Sequence, residues 1–316
     1  MATQLDGPEG RPEGPSYGFM FCDKDYILSV DGLLFNVLGY DHPQGRTACH
    51  LRYVGGKKWT GSYHDALDFL RLNHPVYIDP GQGLISVPHD RVSESYQPDD
   101  GLRRIVGSDD RNRNEETAVT IATHLARHLQ VPFDHFGVTD SLLWGHGHDD
   151  SDVDLVVYGR PAAQSILALG HALFEHADFE PFPQAAFTKP AQPELTDNEF
   201  SQLCQRKANL GYFQGRRFSL RAVRKADELP QDGQWKTVAR RCCQLDITDN
   251  SESLFFPAVY QTNLGIELVS FWMLYESVFH VGETVEVSGM TETGPSGERL
   301  VVGSLKGQNE SIRPSR

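Results

Sequence analysis

The sequence is poor in cysteine and has no apolar run of membrane-spanning length. Its five cysteines include no Cys-x-x-Cys pair; they are Cys22, Cys49, Cys204, Cys242 and Cys243. An odd number without paired spacing argues against a disulfide framework and against a zinc knuckle. The first sixteen residues, MATQLDGPEGRPEGPS, lack the apolar segment of a signal peptide. We therefore expect a cytoplasmic protein with no membrane partner.

Basic residues are also scarce relative to acidic ones. The chain of 316 residues has 29 Lys+Arg against 43 Asp+Glu, a formal net charge of −14. Such a balance ordinarily disfavours a nucleic-acid partner. It is also typical of proteins from a salt-rich cytoplasm, so segments whose charge departs from the net charge are more informative than the net charge itself. The sequence lacks a Walker A motif, a Rossmann fingerprint and a nucleophile elbow, which disfavours the usual kinases, dehydrogenases and α/β-hydrolases.

The residues that carry chemistry lie in one stretch, 136–159, with the sequence FGVTDSLLWGHGHDDSDVDLVVYG. Asp152 and Asp154 begin an apolar strand pattern, so their side chains share one face about 7 Å apart. Mg²⁺ prefers oxygen ligands and usually takes one or two carboxylates, leaving positions for water and phosphates. This pair suits two-metal phosphoryl chemistry, although an isolated Asp-x-Asp before a strand is often only a solvated turn.

A helix start precedes the acidic pair. Thr139, Asp140 and Ser141 lead into Leu-Leu-Trp-Gly, which predicts an N-cap and a first helical turn. The free backbone N–H groups of such an end favour phosphate binding. Between this turn and the strand, the glycine-broken run from His146 to Asp150 predicts an active-site loop rather than a zinc site.

Taken together, turn, serine at a helix start, spacer and Asp-x-Asp resemble the polymerase-beta-like nucleotidyltransferase superfamily, whose pattern is Gly-Ser, a spacer and Asp-x-Asp. The resemblance covers residues 136–159. It implies transfer of a nucleoside monophosphate from a nucleoside triphosphate, with Ser141 on phosphate and Asp152 and Asp154 on Mg²⁺ or Mn²⁺. The wider chain is similar to uncharacterised archaeal proteins described as predicted nucleotidyltransferases. The acceptor stays open between RNA and protein.

Two departures from the family pattern leave alternatives open. Asp140 replaces the family glycine, either as an N-cap that turns away or as a charge that weakens triphosphate binding. The family commonly has a third carboxylate on a following strand, whereas the natural third strand here, residues 218–223 (FSLRAV), has none. Asp246, on a later β-like run, is a candidate substitute. The alternative to an enzyme is a catalytically weakened nucleotidyltransferase fold acting as a nucleotide- or RNA-binding module.

Residues 206–225 reverse the overall charge. This stretch has seven basic residues and no acid; they are Arg206, Lys207, Arg216, Arg217, Arg221, Arg224 and Lys225. Basic residues interleaved with aromatics suit a triphosphate or an RNA backbone, so Arg216, Arg217 and Arg221 are candidate nucleotide-binding residues. The alternative is a solvated basic face that balances acids elsewhere.

The sequence predicts an α+β fold in which a central nucleotidyltransferase-type mixed sheet with helices is flanked by β-rich segments. Each flanking segment could be a small barrel or sandwich, and an OB-like barrel is one option. Apolar residues at three-to-four spacing predict a helix that ends before Pro132, and a second one over Ala163 to His176. The expected boundaries are a disordered tail at 1–16, a β-rich domain at 17–107, the core at 108–228, a β-rich domain at 233–308 and a frayed tail at 309–316.

Overall fold

In this computed structural model, the described residues are 21–145, 151–190, 193, 195–229, 235–304 and 309–315. The expected tail at 1–16 and the run His146 to Asp150 lie outside them. The chain divides into two compact units, Met1–Ser95 with Arg224–Gln231, and Tyr96–Val223 with Asp232–Arg316. In the described part, no helix is long and apolar enough to cross a membrane. The fold class is α+β, with three sheets.

The described part of the first unit combines short strands with one α-helix. Its elements are β1 (Tyr26–Ser29), β2 (Leu33–Val37), β3 (Arg46–Val54), β4 (Lys57–Lys58), α1 (Tyr63–Asn73), β5 (Ser86–Pro88) and β6 (Val92–Tyr96). The strands follow the order β4-β3-β2-β1-β6, with β5 paired to β3. A hairpin turn joins β1 to β2, with Gly32 at a φ of 71°. Helix α1 begins in a capping box between Ser62 and Asp65 and buries Leu67 and Leu70 in this unit's core.

The second unit begins with helices and strands of a mixed sheet, called here the central sheet. Its elements are α2 (Pro98–Val106), α3 (Arg113–Leu129), β7 (Phe136–Val138), α4 (Asp140–Leu143), β8 (Val153–Tyr158), α5 (Arg160–Leu169), β9 (Phe179–Pro181), α6 (Asp197–Gln205), β10 (Leu210–Phe213) and β11 (Arg216–Val223). The strand order is β7-β8-β11-β10-β9. Strands β8 and β11 are parallel, and the other neighbours are antiparallel.

Helices α3 and α5 form the apolar layer of the central sheet. The three-to-four spacing in α3 buries Ala118, Ile121 and Leu125 in the core shared with the sheet. Helix α5 begins earlier than the pattern indicated and ends at Leu169; a 3₁₀ turn, Gly170–Glu175, follows it. The second predicted helix is therefore interrupted, because Gly170 leaves the helical conformation with a φ of 49°.

The remaining strands form a third sheet, called here the C-terminal sheet. They are β12 (Lys236–Glu252), β13 (Ala258–Thr262), β14 (Glu267–Ser270), β15 (Thr284–Gly294), β16 (Gly297–Val302) and β17 (Ser311–Pro314). Their order is β12-β13-β14-β16-β15-β17, and β12 also pairs with β15. The end of the chain was expected to be frayed. Its residues Ser311–Pro314 instead pair with β15, and Ile312 is fully buried in the core of this sheet.

Alternation along β11 separates two faces of the central sheet. Phe218, Leu220 and Ala222 are buried in the core with the helices. The residues that alternate with them, Arg217, Ser219 and Arg221, point to the opposite face. That face carries polar side chains in the middle of the sheet, which is the feature that positions the site.

Candidate active site

Two cross-strand pairs build the site on the polar face of the central sheet. Asp154 on β8 is the direct partner of Ser219 on β11, and the Ser219 hydroxyl donates a hydrogen bond of 2.5 Å to Oδ1 of Asp154. Two residues earlier on each of the two strands, Nη1 of Arg217 lies 3.2 Å from Oδ2 of Asp152. Asp152 and Arg217 remain about half exposed, so this end of the strands is open to solvent.

The carboxylate of Asp154 is electrostatically destabilised in its charged form. Burial is the largest cause, and the negative charges of Asp140 and then Asp152 add to it, which together raise the pKa of Asp154 to about 6. The Ser219 hydrogen bond and the charge of Arg221 act in the opposite direction. A cation bound between these carboxylates would relieve their mutual repulsion.

Asp140 enters the site through an unusual backbone conformation. Its φ is 52°, in the left-handed region that glycine adopts without steric cost and that aspartate tolerates better than most residues. The N-cap of α4 is Thr139, not Asp140, and the Thr139 side chain makes no capping bond. The Thr139 N–H donates to the backbone carbonyl of Asp154, 2.9 Å away, which holds the turn beside the acidic strand. The residue in the glycine position thus keeps a glycine-like backbone and adds a charge.

Helix α2 packs against this turn and fixes it. A side chain at Gly137 on β7 would collide with the backbone of Pro98, and one at Gly101 on α2 would collide with Leu143. Arg104 of α2 donates hydrogen bonds to the carbonyls of Leu142 and Leu143 at the end of α4. Helix α4 has only four residues, so its dipole is much smaller than that of the helix start expected for phosphate binding.

Asp246, the candidate third carboxylate, lies elsewhere. It is on β12 of the C-terminal sheet, where it accepts hydrogen bonds from Oγ1 of Thr284 and Nδ2 of Asn263. The acid that the structure does bring to the pair is Asp140, and the residue facing Asp154 from β11 is Ser219. The alternation of β11 carries a signal for Ser219, because apolar residues at 218, 220 and 222 leave position 219 on the other face.

Aromatic side chains adjoin the outer end of the site. The guanidinium of Arg217 lies 4.6 Å from the centroid of the Phe182 ring. Phe182 in turn stacks on Tyr212, with centroids 5.7 Å apart and an interplanar angle of 15°. Arg217 therefore has two partners, a carboxylate and an aromatic face, and both hold its charge beside Asp152.

The basic residues of 206–225 do not form one solvated face. Arg206 pairs with Glu283 at 2.7 Å, and the buried ammonium of Lys207 donates to the carbonyls of Met273 and Glu276. Arg221 pairs with the carboxylate of Glu276.

The last two basic residues, Arg224 and Lys225, belong to the first unit, where Arg224 lies beside the Tyr40 ring. Arg216 precedes Arg217 on β11 and points to the other side of the strand. Of this stretch, Arg217 contacts the acidic pair directly.

The donor set of the site fits a hard divalent cation. Within the described residues, no three His, Cys, Asp or Glu side chains already surround one point. Mg²⁺ does not require such a cage, because one or two carboxylates with water and substrate phosphates complete its octahedron. Asp152 and Asp154 could supply those carboxylates; burial is the main cause that raises the pKa of Asp154, the charges of Asp140 and Asp152 add to it, and a bound cation would favour the charged form.

Comparison with known proteins identifies no family. No protein-family model matches the sequence, and no solved structure matches it. The chain is similar to the uncharacterized protein MJ1086 of the archaeon Methanocaldococcus jannaschii, with 25% identity over 335 aligned positions. The alignment covers 93% of this chain and 98% of that protein, so the similarity extends over both units.

Proposed function

We propose that the protein is a Mg²⁺-dependent nucleotidyltransferase that transfers a nucleoside monophosphate from a nucleoside triphosphate to an acceptor. One observation carries the proposal: Asp152 and Asp154 lie on the polar face of a mixed sheet, where burial and the additional charge of Asp140 raise the pKa of Asp154. A solvated surface turn would not place two further carboxylates, those of Asp140 and Asp152, beside the half-buried carboxylate of Asp154. The order of turn, serine and acidic strand resembles the polymerase-beta-like superfamily and supports the same reading.

Each residue of the site has a role in this proposal. Asp152 and Asp154 hold Mg²⁺ or Mn²⁺, and Ser219 orients the Asp154 carboxylate through its hydrogen bond. The metal, when bound, screens the triphosphate charge and lowers the pKa of an attacking hydroxyl. Arg217 exchanges Asp152 for a phosphate oxygen of the nucleotide, and the turn supplies the backbone N–H of Ser141 to the same phosphates.

The proposal includes a nucleotidyltransferase-type core and an OB-like barrel. The parallel pair of β8 and β11 within a mixed sheet supports the first. For the second, β12-β13-β14-β16-β15 form a ring closed by the β12–β15 pairing, with β14 and β16 parallel. Because barrels of this type often bind oligonucleotides, this observation favours RNA over protein as the acceptor.

Incubation with each α-labelled nucleoside triphosphate, Mg²⁺ and total cellular RNA or protein tests the activity and identifies the acceptor. We expect label transfer that falls at least about 100-fold in Asp152→Asn and Asp154→Asn, since each change removes a charged ligand and keeps the shape. Asp134→Asn, an exposed carboxylate of the same unit, is the matched control. Equal turnover by wild type and the two site variants at saturating Mg²⁺ would exclude the proposed mechanism.

A second candidate is a nucleotide- or RNA-binding module with a weakened site. The observation that favours it is that two residues differ from the pattern of the resembled family. Asp140 replaces the family glycine, and Ser219 faces the acidic pair in place of an acid. Such a module would bind nucleoside triphosphate or RNA without turnover. Binding without label transfer, across all four nucleotides and with both Mg²⁺ and Mn²⁺, would select this alternative.

A further inference from the structure

Further along β11 from the acidic pair lies a buried charge cluster to which both sheets of the second unit contribute. Arg221 follows Ser219 on the same face of β11 and is mostly buried, with its side chain 16% exposed. It pairs with the carboxylate of Glu276, whose side chain is 2% exposed. Glu276 belongs to the segment between β14 and β15 of the C-terminal sheet, so a residue outside the central sheet pairs with Arg221.

Glu276 is held in a rigid segment. It follows the 3₁₀ turn Met273–Tyr275, and its neighbours Tyr275 and Val278 are fully buried in the core of the C-terminal sheet. The ammonium of Lys207 donates hydrogen bonds of 2.5 Å to the carbonyl of Met273 and 2.8 Å to that of Glu276. The position of the Glu276 carboxylate is therefore set by the C-terminal sheet and not by the loops around the acidic pair.

The charge of this cluster matters for the site. Arg221 lies two residues after Ser219 on the same face of β11, and Ser219 is the direct partner of Asp154, so the positive charge of Arg221 lies near that carboxylate. A buried cation close to Asp154 opposes the binding of a second cation there, unless a negative charge offsets it. Glu276 supplies that charge through its ion pair with Arg221.

We infer that Glu276 is a positioning residue, which holds Arg221 and balances its charge so that Asp152 and Asp154 remain available to a divalent cation. The inference rests on the proposed role of that pair as the metal site. It makes the C-terminal sheet part of the functional centre. It also assigns Arg221, which the sequence pointed to as a nucleotide contact, to an ion pair in which Glu276 balances its charge.

Mn²⁺ binding to the full-length chain, followed by electron paramagnetic resonance at pH 7.5 without nucleotide, tests this inference. Glu276→Gln removes the negative charge that pairs with Arg221, so we expect Mn²⁺ affinity to fall on the order of three- to tenfold. Arg221→Gln leaves Glu276 uncompensated and should raise the affinity by a similar factor. The double variant, neutral at both positions, should return to within about twofold of wild type.

The matched control is Glu283→Gln, which removes the carboxylate that pairs with Arg206 of the same 206–225 stretch. We expect its Mn²⁺ affinity to stay within about twofold of wild type. A merely structural role for Glu276 would lower affinity in both single variants, whereas the inference requires opposite directions. If Glu276→Gln fails to fold, Arg221→Gln and the double variant still decide between the two.

Two negative results are distinguishable. Wild-type Mn²⁺ affinity in Asp152→Asn and Asp154→Asn would overturn the proposed metal site itself. Loss of binding in those variants, together with Glu276→Gln behaving like Glu283→Gln, would overturn the role of Glu276 and leave the proposed function standing.

Discussion

Ser219 and Asp154 are direct partners across the parallel strands β11 and β8, joined by a 2.5 Å hydrogen bond from the serine hydroxyl to Oδ1 of the carboxylate. The bond favours the charged form of a group that burial and the charges of Asp140 and Asp152 disfavour. Ser219 stands on the strand where the resembled family commonly carries a third acid. The site thus has a hydroxyl on β11 and the additional acid on the opposite side, at the α4 turn.

Replacing Ser219 tests this arrangement. Ser219→Ala should raise the pKa of Asp154 by about one unit, because a hydrogen bond to a charged group contributes roughly 1.5 to 3 kcal/mol and part of it is replaced by water. A carboxyl-carbon NMR titration without metal measures the shift. Ser165→Ala, which removes a hydroxyl on α5, is the control. An unchanged pKa of Asp154 in Ser219→Ala would contradict the assigned role.

Removing the charge of Asp140 should change metal and nucleotide binding in opposite directions. In Asp140→Asn, which keeps a residue tolerant of the left-handed conformation, we expect Mn²⁺ affinity to fall several-fold and metal-free ATP affinity to rise several-fold. Asp140→Gly should behave in the same way, because it removes the same charge. Calorimetric titration with ATP and with Mn²⁺ measures both. If Mn²⁺ binds both variants as tightly as wild type, Asp140 does not serve the metal.

Reversing the charge at two neighbouring arginines separates the faces of β11. Arg217→Glu should weaken nucleoside triphosphate binding at least about tenfold, because it places an acid beside Asp152 where a phosphate must approach. Arg216→Glu, on the other side of the strand, should change binding less than about twofold. Equal effects of the two reversals would refute the assignment to Arg217.

The same pair of variants reports on RNA. If Arg217 contacts a polynucleotide, its reversal should weaken binding at every sequence and flatten the dependence of affinity on salt, because fewer counterions are released. Filter binding at several salt concentrations measures this slope. An unchanged slope together with weakened nucleotide binding would restrict Arg217 to the triphosphate.

Stability should depend on pH through Asp154. Its pKa is raised from 3.8 to about 6, so the protonated form is favoured by folding. The stabilisation is fully present below about pH 4 and is lost as the pH rises through about 6; it amounts to at most about 3 kcal/mol. Asp154→Asn cannot ionise, so its stability relative to wild type should increase by up to that amount between pH 4 and pH 7. Urea unfolding at both pH values measures the difference, and a constant difference would refute the raised pKa. Saturating Mg²⁺ at pH 7 should raise the stability of the wild-type protein and not that of Asp154→Asn.

Local patterns in the sequence predicted several elements well. The spacing of Ala118, Ile121 and Leu125 predicted α3, and the apolar alternation after Asp152 predicted β8 with both acids at its start. The residues of two other helices, α1 and α2, were instead predicted to belong to the first β-rich domain. Both carried readable signals: α1 has a Ser62–Asp65 capping box, and α2 has a proline in its first turn.

Residues at the end of the chain show where local patterns fail. Ile312 lies in a polar segment that predicted a frayed tail, yet it is buried because β15 has a free edge for Ser311–Pro314 to pair with. Pairing of this kind joins residues distant in sequence. No local period can reveal it, because the partner strand is set by the fold of the whole sheet.

The sequence by itself determined the chemical composition of the site, since two carboxylates one residue apart on a strand must share a face and a hydroxyl flanked by apolar residues must point away from the core. Tertiary structure alone decided which groups meet there. It brought Asp140 rather than Asp246 to the pair, set Ser219 opposite Asp154, and placed Glu276 of a distant segment against Arg221. The physical reason is that strand register and sheet packing set distances between residues far apart in sequence, and electrostatic energies depend on those distances.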